Sequence, residues 1–555
     1  MIIVSNNRKL EIKILSSLAK VFADECPKES QWDRGSMLLN EVYSFQVAYW
    51  WSGCMIVNVC VSAESGLKPW ISLRTIGLVP SEMPCYGDHD DNVLRTVPGL
   101  YPDPLIPVGD EGITLLPEQW RSIWITVDPR GEAKSDIYKI MTVFSDNQGN
   151  DLGSAEFELE LINMMLPAQT LIHTEWFHTD CLATWYGLDI FSEEHWMRIE
   201  QYICTAVKHG INMILTPVFT PPLDTAVGEE RPTVQLVDVE KSYNTYNFRF
   251  EKLKRWVDLC RANGVEYFEI SHLFTQWGAK HAPKVMAYEN GEYKRIFGWD
   301  TDAGGEAYKN FLACFLPKLV DFIESNSLEK SVYFHVSDEP SINHLENYRS
   351  ASSILKEYIQ KYAVIDALSD YTFYETGLVQ NPVAATNHID IFLENNVPNL
   401  WTYYCCGQYK LVSNRFFNMP SERNRIIGIQ LYKFNIFGFL QWGYNFWYSQ
   451  YSRYPVDPFK VTDSGCAFPS GDPFVVYPGK DGPLESLRLE VFYEAIQDLR
   501  ALKLLESLIG RDEVLNMLEE GLDKPITFSQ YPTDPVWLLA KREQINEEIC
   551  RNIKK

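Results

Sequence analysis

The 555-residue sequence predicts a multidomain protein. The expected fold is an N-terminal β-sandwich followed by a (β/α)8 TIM barrel with a C-terminal helical extension. Three observations carry that expectation. Residues 1–166 read mainly as strands separated by turns. From about residue 169, strand-like runs alternate with helical ones, and eight such strands fall between 170 and 450, an ordinary length for this barrel. The doubly wound alternative lacks a G-x-G-x-x-G first turn. The boundaries are drawn at 1–166, 167–450 and 451–555.

Residues 8–23 predict a short polar helix. Phe45-Gln46-Val47-Ala48-Tyr49-Trp50-Trp51 and Met55-Ile56-Val57-Asn58-Val59 are rich in β-branched and aromatic side chains and predict strands. Residues 120–127, Trp120-Arg121-Ser122-Ile123-Trp124-Ile125-Thr126-Val127, predict another. Residues 138–144 and 155–161 flank the turn Asp146-Asn147-Gln148-Gly149-Asn150 and form a hairpin pattern. The second of these alternates apolar and acidic residues, the mark of one buried and one wet face. Two packed sheets bury such faces.

The barrel strands are expected at 171–176, 211–216, 265–270, 331–336, 363–368, 383–389, 400–405 and 437–442. Ser192 caps a helix whose first turn holds Glu193 and Glu194, which suits the positive end of the helix, and Gly210 stops it. Residues 247–263 place Phe250, Leu253, Trp256, Val257 and Cys260 on one face, with Gly264 as the stop. Residues 307–323 are helical, with a kink expected at Pro317. Helices follow at 345–362 and 422–434. Residues 451–483 are rich in Pro, Gly and Asp and predict a long loop. Residues 484–520 are helical, with a break at Gly510 and a stop at Gly521. The remaining tail is polar, docked by Trp537 and Leu538.

Lys and Arg number 50 against 74 Asp and Glu, a net charge of -24. Such a surface repels phosphate backbones and anionic lipid heads, which argues against nucleic acid and membrane-surface partners. The most apolar stretch, 434–447, is interrupted by Asn435, Gln441 and Asn445, so no membrane insertion is expected. The N-terminus lacks a basic start, an apolar core and a cleavage site, so no secretory signal is expected. The 12 cysteines include no C-x-x-C pair, and no H-E-x-x-H occurs. This predicts reduced thiols, a cytoplasmic location, no metal and no cofactor.

A barrel of this type puts its chemistry at the C-terminal ends of its strands. The fourth strand ends in Val336-Ser337-Asp338-Glu339-Pro340, two carboxylates beside a proline. An Asp-Glu-Pro triplet can also be a plain helix entrance. The other strand ends mix aromatic and polar groups: Trp176, His178 and Asp180; His272, with Trp277 and Trp299 in the following loop; Asn387 and His388; Tyr403 and Tyr404; Trp442, Tyr444 and Trp447. Aromatic faces stack on sugar rings while polar groups read hydroxyls, so the expected ligand is a neutral carbohydrate. Neighbouring strand residues point to opposite sides, so Asp338 and Glu339 are not expected to clasp one bond between them. A 2-acetamido group on the sugar could instead attack the anomeric carbon. One acid would then protonate the leaving group while an ionised neighbour stabilises the oxazolinium. That requires environments that push the two pKa values apart.

These motifs resemble glycoside hydrolase family 123. The resemblance rests on Val336-Ser337-Asp338-Glu339-Pro340, Ala385-Thr386-Asn387-His388-Ile389, Trp401-Thr402-Tyr403-Tyr404-Cys405 and Gly438-Phe439-Leu440-Gln441-Trp442-Gly443-Tyr444-Asn445-Phe446-Trp447. A later run, Tyr477-Pro478-Gly479 through Gly482-Pro483, Ser486, Arg488 and Glu490, adds to it. The order Trp120-Arg121-Ser122-Ile123-Trp124-Ile125 resembles that family's N-terminal sandwich. The resemblance spans about 120 to 500. It implies an exo-acting, retaining, substrate-assisted β-N-acetylgalactosaminidase. Glu339 would be the general acid/base, and Asp338 would orient the acetamide and stabilise the oxazolinium. A tyrosine holding the acetamide carbonyl would be Tyr371 or Tyr374, with Tyr371 favoured.

The residues leave two other readings open. One is a glycosidase for a different sugar with a conventional two-carboxylate pair, using Glu269 or Glu175. The other is a non-catalytic carbohydrate-binding protein.

Overall fold

The computed structural model describes residues 9–243 and 245–553. Residues 1–8, which include Arg8 at the start of the expected N-terminal helix and the first part of the segment read for a secretory signal, lie outside the described residues. Within the rest of that span, Leu10–Ser16 is instead a strand paired antiparallel with Tyr43–Trp51, and residues 17–23 are turn and loop. Leu10, Ile12 and Ile14 recur at every second position, a period that fits a strand and not a helix.

The N-terminal region is two five-stranded sheets. One runs Leu10–Ser16, Tyr43–Trp51, Trp120–Val127, Ile71–Ser81, Gly99–Pro107. The other runs Arg34–Leu38, Asp151–Ile162, Ile137–Ser145, Ile56–Glu64, Ile113–Leu115. The expected hairpin is present, with Met141 opposite Glu156. Phe157, Leu159 and Leu161 are buried while Glu156, Glu158 and Glu160 are exposed. Across the sandwich, Phe45 stacks on Phe157 with ring centroids 4.0 Å apart. The sequence reading did not separate out Gly99–Pro107. It carries three prolines and lies at a sheet edge, where a missing N–H costs little.

The barrel closes from eight parallel strands: β1 (Ile172–Glu175), β2 (Met213–Thr216), β3 (Tyr267–Ile270), β4 (Val332–Phe334), β5 (Ala363–Leu368), β6 (Asn381–Ala385), β7 (Trp401–Tyr403) and β8 (Gly438–Gln441). Ile172, Met213, Leu215, Ile365, Val383, Trp401 and Leu440 pack together in its interior. It is a filled core and not a pore. Ser192 caps the helix Glu193–Lys208 by accepting from the His195 N–H. The loops after β2 and β3 carry an additional four-stranded sheet formed by Asp238–Ser242, Thr245–Arg249, Val285–Glu289 and Glu292–Phe297.

The helix Leu487–Ile509 packs on the barrel, with Phe492 meeting Phe439 of β8 at 5.0 Å and His173 of β1 at 4.9 Å. It also grips the sandwich. Arg488 pairs with Asp103 at 2.8 Å, and Glu490 pairs with Arg74 at 2.7 Å. The polar tail forms a further helix, Pro535–Ile553, which buries Leu538, Ile545 and Ile549, and its Arg542 pairs with Glu41 at 2.8 Å. Among the described residues, no helix is long and apolar enough to cross a membrane.

Candidate active site

Strand β4 ends at Phe334, short of the two acids. His335, Val336 and Ser337 are buried, Asp338 is half-buried and Glu339 is exposed. The Ser337 hydroxyl donates to the Thr275 carbonyl at 2.9 Å, and the Trp277 N–H donates to the Asp338 carbonyl at 3.1 Å. Both bonds fasten this segment to the loop after β3. Glu339 adopts φ 41°, a left-handed conformation rare outside glycine and costing about 1–3 kcal/mol. The strict alternation of a strand has therefore lapsed, and both acids line the same cavity.

That cavity holds about 170 Å³. Trp176, Trp277, Tyr403, Trp442 and Phe468 supply aromatic walls, with Leu223, Ala367 and Leu440 between them. Asp224, Gln276, Cys405 and Cys406 complete the lining. Asp224 and Trp277 also have positive φ, 38° and 57°. Three strained backbone positions thus border this cavity.

The Tyr403 hydroxyl donates to Glu339 Oε1 at 2.7 Å. Burial, then the neighbouring Glu339 charge, raises the pKa of Asp338 well above the ordinary carboxylate value, while His335 pulls it down. Burial lifts Asp224 to about 6.

Behind the acids lies a buried array. Glu269 accepts from the Thr174 hydroxyl at 2.7 Å, from the Trp176 indole N–H at 2.7 Å, and from His335. The other His335 nitrogen bonds Asp366 at 3.2 Å, and Asp366 also accepts from Tyr348. Burial opposes charge on His335, but Glu269 and Asp366 outweigh it and push its pKa up to about 10. An imidazolium between two carboxylates follows, and Glu269 fixes the indole that forms a cavity wall. His272 stacks on His335 at 4.2 Å and 21°. Burial, then the His335 charge, holds His272 far below its usual pKa. His272, His335 and Asp366 place three donor atoms within 4.8 Å of one another. His335 already spends both nitrogens on carboxylates, and the near-parallel rings do not aim their lone pairs at one point. The donor set fits a charge clamp better than a metal centre.

The sequence model described as glycoside hydrolase 123, catalytic domain, matches residues 176–505, more than half of the chain. The chain belongs to glycoside hydrolase family 123. A solved family 123 glycoside hydrolase from Clostridium perfringens, studied for glycolipid glycan hydrolysis, aligns with a TM-score of 0.76 at 16% identity. The alignment covers 98% of this chain and 99% of that one. An endo-β-1,4-mannanase from Thermotoga petrophila aligns at TM-score 0.33 and 12% identity over 60% of this chain and 77% of that one. Bacteroides uniformis β-glucuronidase 3 aligns at 0.30 and 12% over 87% and 51%. No curated protein matches the sequence.

Within this family 123 chain, the cavity brings together Asp338, Glu339, Trp176, Tyr403 and Trp442 from the sequence-derived set. Asn387 and His388 are exposed just beyond β6, with Asn387 accepting from Gln408 at 3.1 Å. These two and the remaining four lie outside the cavity lining. His178 is buried against Arg231 and the Trp442 carbonyl, and burial, then Arg231, lowers its pKa to about 3. The Tyr444 hydroxyl donates to the Tyr202 carbonyl at 2.9 Å, and Trp447 donates to the Val476 carbonyl at 3.3 Å. Tyr371 packs edge-on against Phe392 and beside Tyr374. Asp224 and Gln276 were missed by sequence reading. Asp224 follows Pro221-Pro222-Leu223, which carries no catalytic signature.

Glu175, at the end of β1, pairs with Arg415 at 2.7 Å, and neither side chain is exposed. Burial opposes the Glu175 charge, but Arg415 overcomes it and lowers the pKa. Arg415→Met leaves that buried carboxylate with only the His173 imidazole, 3.6 Å away, beside it. Urea unfolding should show a loss of about 3–5 kcal/mol, largely recovered by adding Glu175→Gln. A loss below the error of the melt would mean that the pair does not support the fold.

Proposed function

We propose that this family 123 chain is an exo-acting retaining β-N-acetylgalactosaminidase that uses the substrate's own acetamide as nucleophile. The observation that carries this reading is the placing of Asp338 and Glu339 on one small aromatic cavity. Its volume suits a single sugar residue, as exo action requires. Glu339, exposed toward the opening and bonded by Tyr403, would give a proton to the leaving oxygen and then take one from water. Asp338 would hold the acetamide N–H and face the positive oxazolinium. The acetamide carbonyl would be held by a tyrosine. Tyr403 lines the cavity and would do this by turning its single O–H from Glu339 to the carbonyl, whereas Tyr371 lies outside the lining.

The two carboxylates weighed from sequence as conventional partners are engaged elsewhere. Glu269 is committed to Thr174, Trp176 and His335, and Glu175 to Arg415. Asp224 supports one second reading. It lines the same cavity, and its pKa of about 6 suits a proton donor, so a conventional pair of Asp224 and Glu339 would serve a sugar without an acetamide.

The experiment is inhibition by a thiazoline of N-acetylgalactosamine, read beside hydrolysis of aryl 2-acetamido-β-galactosides, with the product anomer followed by NMR. Tight inhibition and a retained β-anomer are expected. Hydrolysis of acetamido-free glycosides with no thiazoline binding would favour the Asp224 pair. Sugar binding without hydrolysis of any aryl glycoside would remove the enzyme reading.

A further inference from the structure

After β7 the chain turns through Tyr404-Cys405-Cys406-Gly407-Gln408. The Gln408 N–H donates to the Cys405 carbonyl at 3.1 Å, and the Cys405 N–H donates to the Gln408 side chain at 2.9 Å. This doubly tied turn brings two adjacent free thiols to one wall of the cavity. Cys405 Sγ lies 3.9 Å from Glu339 Oε1 and accepts the Gly407 N–H at 3.5 Å. No other two cysteines are adjacent in the chain. The proposed hydrolysis uses neither.

We propose that Cys405 and Cys406 form a dithiol modification site in the catalytic cavity, one that takes a two-coordinating thiophile of the trivalent arsenical class and is blocked to substrate when filled. Both cysteines line the same cavity and are held there by a backbone turn, so a soft atom that bridges their thiols does so with little loss of conformational freedom. In the reaction with an arsenoxide, two S–H bonds and the As=O bond break. Two As–S bonds form, and the oxygen leaves as water with both protons. Arsenic stays trivalent, and no oxidant is consumed. The bound group occupies the volume beside Glu339 that a leaving group would need. The hydrogen bond with Cys406, then burial, raises the Cys405 pKa, so thiolate-seeking alkylating agents react slowly there while a dithiol reagent retains its advantage. Capture rests on the cavity geometry alone. The block of turnover rests on the hydrolase reading.

The test treats the full chain with phenylarsine oxide, then with excess 2-mercaptoethanol to strip adducts on single thiols, and weighs the intact protein. One retained adduct per chain is expected, released by 2,3-dimercaptopropanol. Cys405→Ser and Cys406→Ser should each lose it, with circular dichroism confirming that both variants fold. No retained adduct on the unmodified sequence, or an adduct that survives both substitutions, overturns the site. Hydrolysis of the aryl 2-acetamido-β-galactoside should fall in step with uptake and return on release. Full uptake at these cysteines with unchanged turnover overturns the block. A chain with no turnover on that substrate bears on the proposed function, and the mass readout still decides capture.

Discussion

Glu339→Gln should lower kcat on an aryl 2-acetamido-β-galactoside with a poor leaving group by about 10²–10⁴-fold, the usual worth of a positioned acid/base group. KM should stay near its original value. The amide keeps the shape of the carboxylate and can still accept from the Tyr403 hydroxyl, so the cavity is preserved while the proton is lost. Dinitrophenyl leaving groups need no protonation, and their hydrolysis should fall far less. This contrast separates a lost acid from a damaged site. Equal turnover by the variant and the original sequence on the poor leaving group would take Glu339 out of the mechanism.

Asp338→Asn should cost about 10²–10³-fold in kcat, because a neutral amide cannot stabilise a developing positive charge. Here pH gives a second handle. Asp338 acts as an anion, and its pKa is raised by burial and by Glu339. An acid with a raised pKa loses its charge as pH falls through that raised value. The acid limb of kcat/KM should therefore lie above the ordinary carboxylate range of about 4. The active form pairs an Asp338 anion with a protonated Glu339, so the two carboxylates share one proton and titrate together. Glu339→Gln, read on dinitrophenyl leaving groups, removes the like charge and should move the limb downward. Asp338→Asn should abolish it. An acid limb at the ordinary position, unmoved by Glu339→Gln, would show that Asp338 does not govern it.

The parts of this molecule that were legible in its sequence are those where one physical rule acts alone. Phe157, Leu159 and Leu161 alternating with acidic neighbours are sufficient to draw a half-buried strand. Ser192 announced its helix, and Gly510, at φ 88°, separates two others as expected. The eight barrel strands were legible because each is a short apolar run before a helical pattern. Leu10–Ser16 was misread because its polar neighbours were taken for a wet helix, although Leu10, Ile12 and Ile14 alternate as in a strand. The helix Pro535–Ile553 was hidden by its polarity, since Leu538, Ile545 and Ile549 form only a narrow apolar stripe.

The site was legible in its acids and less so in its walls. Asp338 and Glu339 stood out as paired carboxylates at a strand end. No local pattern reveals that Glu339 turns through a positive φ, which depends on contacts with the β3 loop. Trp442, Tyr444 and Trp447 share one aromatic motif, yet only Trp442 lines the cavity. Beyond β8 the chain is irregular, so spacing along the sequence no longer says which way a ring points. Glu269, His335 and Asp366 sit inside strand-like runs or just beyond one, where their mutual contacts depend on barrel closure.

The helix Leu487–Ile509 joins β1 and β8 on one side to the sandwich on the other. On the ribosome the strand ring is fully synthesised by Gln441, well before this helix emerges. Until it does, Asp103 and Arg74 wait without the partners that bury them, and the outer faces of the first and last barrel strands stay wet. Assembly of the two halves is thus a late event in biosynthesis. A nascent chain stalled before residue 487 would offer chaperones a sandwich and a strand ring whose β1–β8 face is uncovered, in place of a finished hydrolase.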